Sequence, residues 1–356
     1  MGDMKKKKLS KKTRRAFINY GIIICFFLIF QVLSSTGHLG SSLKGQLIPI
    51  CSYIIMALSL NLVVGISGEL SLGHAGFMSV GAFSGVVVAQ SLAPNIPNGL
   101  IRLILALVIG AFMAGIAGIL IGIPVLRLRG DYLAIVTLAF GEIIKNVLNC
   151  LYVGIDARGL HFSLKDEPSL HLEAGGKTIL SGPMGALGIT KLSTFFVGIV
   201  LILLVLFYIQ NLVNSRPGRA IAAIRDNRIA AEACGIPVTK YKLMAFVTSA
   251  AMAGAAGALY ALNYSTVVPK KFDFNTSILV LVFVVLGGIG NLRGSIIAAA
   301  LLTVLPELLR EFQDYRMLVY AIVLILVMLF TNNEKAMTFV RNTVNSILKK
   351  TRKEAA

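Results

Sequence analysis

Four ionisable side chains sit inside or at the edge of apolar stretches, and they are where this chain could do chemistry: Glu69, His74, Glu142 and Lys145. A charge at bilayer depth costs about 2.5–3.5 kcal/mol on insertion scales, so each is a functional candidate by default. Glu142 and Lys145 are three apart, a spacing at which helical neighbours neutralise each other. Glu69 lies at the end of an apolar run, within reach of the headgroups. His74 has two open readings, a pathway-lining group or a hydrogen-bonding partner inside a broken turn. The larger motifs of catalysis are missing. No Gly-x4-Gly-Lys-Ser/Thr stretch offers a phosphate cradle, so the chain has no P-loop with which to bind ATP. His-Glu-x-x-His and Cys-x-x-Cys are absent, as are paired catalytic carboxylates. A proton-coupled carrier would need a deeper and richer set of carboxylates. Enzyme chemistry and metal binding are therefore not expected.

The elements that must hold these residues are membrane helices. Of 356 residues, 56% are apolar and 14% charged, against about 25% charged in soluble domains. A spanning helix needs roughly 20 mostly apolar residues, and such segments recur at about 16–33, 48–65, 72–92, 100–124, 132–152, 193–211, 243–265, 275–291, 295–310 and 316–332. The expected fold is an all-α polytopic membrane protein of about ten helices, some broken or re-entrant at glycines. The transmembrane domain takes in 16–332, between basic tails at 1–15 and 333–356. The first apolar stretch is longer than the 7–15 residues of a signal peptide and lacks an Ala-x-Ala site, so it reads as a retained helix.

The net charge of +18 is distributed as a topogenic signal, not as a nucleic-acid surface. Eight Lys/Arg lie in the first fifteen residues, six follow Thr331 and six more fall between Ser215 and Lys242. The positive-inside rule puts these regions in the cytoplasm. Ten spans with both termini inside satisfy it, and they also bring Arg127, Arg129 and Arg293 inside. The outside loop 153–192 is balanced, with four basic and four acidic residues, and reads as a small surface cap. The basic tails also suit anionic lipid. Cys25, Cys51, Cys150 and Cys234 show neither disulfide-framework nor metal-site spacing and read as small packing residues.

Two segments break the helical pattern. GISGELSLGHAGFMSVG (65–81) carries five glycines, and irregular backbone at membrane depth survives only when buried in protein or lining a water-filled cavity. LGGIGNLRG (286–294) interrupts the other half. Paired glycine-interrupted segments point to a transporter's pathway. AFMAGIAGIL (111–120) and AAMAGAAGAL (250–259) share seven of ten positions, either as an inverted repeat or as shared small-residue packing chemistry. In the cytoplasmic loop 212–242, a helix of about four turns is expected over Arg219–Gly235, stopped by Gly235 and Pro237. Its charges ring the axis, which suits a helix held between its own membrane domain and a separate protein.

SGELSLGHAGFMSVGA (67–82), LRGDYLAIVTLAFGE (128–142), GRAIAAIRDNRIAAE (218–232) and VLGGIGNLRG (285–294) occur in this order in one chain. Together they resemble the membrane permease subunits of branched-chain amino acid ABC transporters, of the LivM type, over about 48–332. The resemblance implies an ABC-importer permease fold in a bacterial cytoplasmic membrane. It implies a homologous second permease subunit, two cytoplasmic ATP-binding subunits that use the ATP, and an extracytoplasmic substrate-binding protein. It places a coupling helix on Arg219–Gly235, with Arg219, Ile221, Arg225, Asp226, Arg228, Glu232 and Gly235 as docking residues. The AAEACG (230–235) stretch matches the general Glu-Ala-Ala loop of ABC permeases only loosely. The expected pathway and hinge residues are Ser71, Gly73, His74 and Gly76 in the first turn, with Gly287, Gly288, Gly290 and Asn291 in the second. Alternating access of an aliphatic amino acid is the implied mechanism. A permease for urea or a short amide, and a stand-alone carrier or channel, are the alternatives.

Overall fold

The structure, a computed structural model, describes residues 41–309 except 129, 157 and 174. Isolated positions at 20, 21, 23, 24, 31, 315, 318, 319, 321, 322 and 325 are also described. The predicted spans 16–33 and 316–332 and both basic tails lie otherwise outside the described residues. The chain divides into units 1–300 and 301–356, and the described part of the second is little more than the end of one helix.

Long apolar runs form helices because a bilayer offers no water to bond exposed backbone. The first is α1, Ser41–Asn61, which continues into a π-helical turn at Leu62–Ser67. There follow α2 (His74–Ser91), α3 (Gly99–Val125) and α4 (Asp131–Asn149). After a loop come α5 (Phe195–Asn214), the short α6 (Arg216–Asp226) and α7 (Arg228–Ala233), and α8 (Val238–Ala261). The last two are α9 (Phe274–Gly287) and α10 (Leu292–Leu308). Side chains cap several N-termini: Asn98 accepts from Leu100 N at 3.0 Å, and Asp273 accepts from Thr276 N at 3.0 Å.

Among the described residues, five helices are long and apolar enough to cross a membrane: Leu43–Ser67, Gly99–Val125, Tyr132–Asn149, Phe195–Asn214 and Val238–Ala261. They match the expected segments at 48–65, 100–124, 132–152, 193–211 and 243–265. The segment at 72–92 forms α2, with twelve of its eighteen residues buried. The segment at 275–291 yields only the 14 residues of α9. At 1.5 Å per residue that is about 21 Å, short of a roughly 30 Å hydrocarbon core.

The expectation of an all-α fold is corrected by loop 153–192, which folds as a three-stranded antiparallel sheet in the order β2-β1-β3. The strands are β1 (Tyr152–Asp156), β2 (Gly159–Ser163) and β3 (Lys177–Ser181). Strands of five residues in a polar loop carry too few apolar positions to announce themselves. The sheet joins α4 to α5, while α6 and α7 join α5 to α8. The 20 residues of α5, about 30 Å, put the sheet and the α6–α7 loop at opposite ends of the bundle. Ala186 pairs with Val267, so the segment after α8 lies at the sheet end.

The core is a three-helix seam of α2, α3 and α8 built on small residues. Gly110 packs on Ala258, Gly254 on Ala114, Gly118 on Ala250 and Gly122 on Phe246. Each step of four along α3 is matched by a step of four back along α8, so the helices run antiparallel. The crossing is centred on the two similar segments, 111–120 and 250–259, which therefore pack on each other. Gly81 of α2 lies against the Gly254 backbone, and Gly85 against Ala258. Without Cβ atoms the helices approach closely enough for dense dispersion contact.

Candidate functional site

Broken helices leave backbone groups without partners, and the break between α1 and α2 is completed by side chains from four other places. Leu72 N donates to Thr137 Oγ1 of α4 at 3.0 Å, and Ala75 N donates to Ser277 Oγ of α9 at 3.0 Å. The Gly65 carbonyl accepts from Arg225 Nη1 of α6 at 3.1 Å. Gly68, with φ +76°, takes the left-handed conformation that ends the π turn. Glu69 forms an ion pair with Lys242 of α8, both side chains close to nine-tenths buried.

The second Gly-rich turn, between α9 and α10, meets the first. Asn61, at the end of α1, is fully buried. Its Oδ1 accepts from Gly290 N at 2.8 Å and its Nδ2 donates to Ser295 Oγ at 2.8 Å. A Cβ on Gly65 would strike the Gly290 backbone, so the two turns touch backbone to backbone. The segments at 65–81 and 286–294, paired by sequence, are paired in space.

The other expected pathway residues are placed as follows. His74 is buried and its Nε2 lies 2.7 Å from Ser59 Oγ, while Ser249 Oγ donates to the Ser59 carbonyl at 2.5 Å. Ser71 is equally buried, and its hydroxyl has no hydrogen-bond partner among the described residues. Gly73 packs on the Thr137 carbonyl and Gly76 on Gly141 of α4. Gly287 packs on Gly294 and the Ser295 amide, and Gly288 and Gly290 have φ of +89° and +79°. Asn291 is exposed, and its amide donates to the Gly288 carbonyl at 2.9 Å. Glu142 and Lys145 form an ion pair with each other, as their spacing requires.

The single helix expected over Arg219–Gly235 is corrected to two. Asn227 leaves the helical region at φ −154° and ψ 103°, and its side chain caps α7 by accepting from Ala230 N at 3.0 Å. Gly235, at φ +76°, ends α7, and Ile236 N bonds back to the Ala231 carbonyl at 3.1 Å. Ile221, expected among the docking residues, lies on the inner side of α6. It is buried, as is Ile224, which packs with Ala231 and Val238. The outer face carries Arg219, Asp226 and Glu232, together with Ile229 at 80% exposure. Arg219 Nη1 bonds to the Asn214 carbonyl at 3.1 Å, Arg225 pairs with Asp226 at 2.9 Å and Arg228 with Glu232 at 2.9 Å.

Asn61, Thr137, Ser277 and Lys242 were not anticipated from sequence. Only Asn61 had a usable signal, a carboxamide in an apolar run four residues before Gly65. Among the described residues no group of three or more His, Cys, Asp or Glu side chains could hold a metal ion. The cluster is a set of hydrogen bonds and one ion pair that join the helix breaks to their neighbours.

The model of the family described as the permease component of the branched-chain amino acid transport system matches residues 43–328. The high-affinity branched-chain amino acid transport system permease protein LivM of Escherichia coli is 40% identical over 294 residues, covering 78% of this chain and 66% of the relative. The chain thus spans just under two thirds of that relative's length. A probable branched-chain amino acid transport permease protein LivM of Methanocaldococcus jannaschii is 25% identical, covering 74% of this chain and 79% of the relative. The fructose import permease protein FruG of Bifidobacterium longum is 24% identical, covering 86% and 87%. No solved structure matches the chain significantly.

Proposed function

The chain belongs to the branched-chain amino acid transport permease family, and from that premise we infer that it is a membrane permease subunit of an ABC importer for branched-chain amino acids. The observation that carries the reading is the link from Arg225, on the α6–α7 loop, to the Gly65 carbonyl in the first helix break. A transporter whose motor is a separate protein needs such a connection between its docking surface and its moving parts.

The subunit works with a homologous second permease, two cytoplasmic ATP-binding subunits and an extracytoplasmic substrate-binding protein. About ten spans cross the bacterial cytoplasmic membrane with both termini in the cytoplasm, so α6 and α7 face the cytoplasm and the sheet faces out. ATP is bound and spent by the partners. Their closure presses on the outer face of α6 and α7 and rocks the spans between inward- and outward-open states. Ser71, Gly73, His74, Gly76, Gly287, Gly288, Gly290 and Asn291 belong to the moving and pathway-lining turns, whose small residues let helices slide in close contact. Urea or a short amide is the alternative cargo, and the likeness to a fructose permease supports a second cargo class within one architecture.

The test is uptake of radiolabelled leucine, with urea in parallel, by proteoliposomes holding this chain, a second permease and the ATPase subunits, with the binding protein outside. ATP-dependent leucine uptake is the expected result. Urea uptake alone would overturn the cargo, and uptake by this chain without ATP or partners would overturn the ABC reading.

A further inference from the structure

Two side chains tie the α6–α8 region to the first helix break, at different points. Arg225 donates to the Gly65 carbonyl, and its Cγ lies 2.6 Å from where a Cβ on Gly68 would stand. Lys242, in the second turn of α8, pairs with Glu69. The Lys242 and Glu69 side chains are only 11% and 12% exposed. Charges buried this far attract strongly and are costly to separate. The three anchor points, Gly65, Gly68 and Glu69, fall within five residues that span the end of the π-helical turn and the start of the irregular stretch after it.

We propose that the Glu69–Lys242 ion pair and the Arg225–Gly65 hydrogen bond form a two-point strut that makes segment 62–73 follow α6 and α8. Glu69, Lys242 and Arg225 are then positioning residues for transport, an inference that rests on the permease reading. A single bond would let the segment pivot, whereas two attachments four residues apart transmit rotation as well as displacement. The movement does not stop there. Gly65 abuts Gly290, and Asn61 holds the Gly290 amide, so a push on α6 reaches both Gly-rich turns. If the ion pair only neutralised two charges at the membrane edge, a neutral pair of similar shape would serve as well.

The strut is tested in the complete complex in proteoliposomes, reading leucine taken up per ATP hydrolysed and amide hydrogen exchange across 62–73. The double variant Glu69→Gln with Lys242→Met is expected to lower uptake per ATP about tenfold, within the range of coupling between distant sites. The swapped pair, Glu69→Lys with Lys242→Glu, is expected to recover most of it. Arg225→Met, at a side chain that is 42% exposed and so removable without collapsing the fold, should lower the ratio and raise exchange across 62–73. An unchanged ratio in the neutral pair or in Arg225→Met, or a swapped pair as uncoupled as the neutral one, overturns the strut. Wild-type complex that hydrolyses ATP while importing neither leucine nor urea would sink the permease reading instead. Exchange then decides the strut, and protection of 62–73 that is unaltered by these variants overturns it.

Discussion

Asn61 and Gly290 are 229 positions apart, yet the Asn61 carboxamide accepts the Gly290 amide at 2.8 Å and so fastens the end of one broken helix to the turn of another. Replacing it by leucine keeps the branched heavy-atom shape and removes the bond, leaving a partly buried amide without a partner. The cost of such an orphan is about 1–3 kcal/mol. Asn61→Leu should therefore lower the thermal midpoint of the detergent-solubilised complex, and an unchanged midpoint would show that the contact carries no stability.

The glycines of the α2–α3–α8 seam should differ sharply in tolerance. A Cβ on Gly254 would strike Ala114 and the Gly110 carbonyl, so Gly254→Val forces the helices apart and should abolish a monodisperse elution peak. Among the described residues a Cβ on Gly115 meets only Ala251, at an ordinary 3.7 Å, and Gly115→Ala should elute as wild type. Equal behaviour of the two variants would mean that close approach is not what the seam depends on.

The helices that cross a membrane were legible because length and apolar content decide them locally. Each Gly-rich break was legible by itself, since glycine at membrane depth implies backbone buried in protein or lining a cavity, but that Gly65 and Gly290 meet was not. What sequence could not supply was the set of ties. Thr137, Ser277 and Lys242 are polar residues of ordinary type, distinguished only by what lies opposite them after folding. The break at Asn227 was visible in part, since Asp-Asn is a good stop and cap, but the Ala- and Ile-rich sequence around it favoured a continuous helix. The sheet escaped because its five-residue strands are held by polar residues such as Asp156, the last of β1, not by an apolar repeat.

Ile229 and Ile221 lie on opposite faces of the α6–α7 loop and should fail in different ways. Ile229 is 80% exposed and Ile221 is 1% exposed. Ile229→Glu changes only the outer face, so the chain should fold normally but lose co-purification with the proposed ATPase subunits. Ile221→Glu buries a charge against the bundle, which is strongly unfavourable without a partner, and should give little folded protein. Normal co-purification of Ile229→Glu would move the docking surface elsewhere.

The hairpin at the sheet end makes a pH-dependent prediction. Desolvation in its own turn pulls the Asp156 carboxyl up. Hydrogen bonds from the Arg158 and Glu173 amides and from His161 outweigh it, so the group sits below its ordinary value of 3.8. A carboxyl whose folded pKa is depressed stabilises the fold above the unfolded pKa, and that stabilisation disappears as pH falls through the folded value. The carboxylate accepts from Arg158 N at 2.8 Å and from Glu173 N at 3.4 Å, and it pairs with His161 at 3.0 Å, so it joins β1 to β2 and to the loop before β3. Across neutral and mildly acid pH its contribution should stay constant. Below the ordinary carboxyl value, amide protection in 152–163 and 173–181, taken relative to the intrinsic exchange rate at each pH, should fall in wild type. Asp156→Asn, which cannot ionise, should show lower protection at neutral pH and little further change on acidification. A wild-type sheet whose protection is no more acid-sensitive than that of Asp156→Asn would show that the Asp156 charge does not hold the hairpin together.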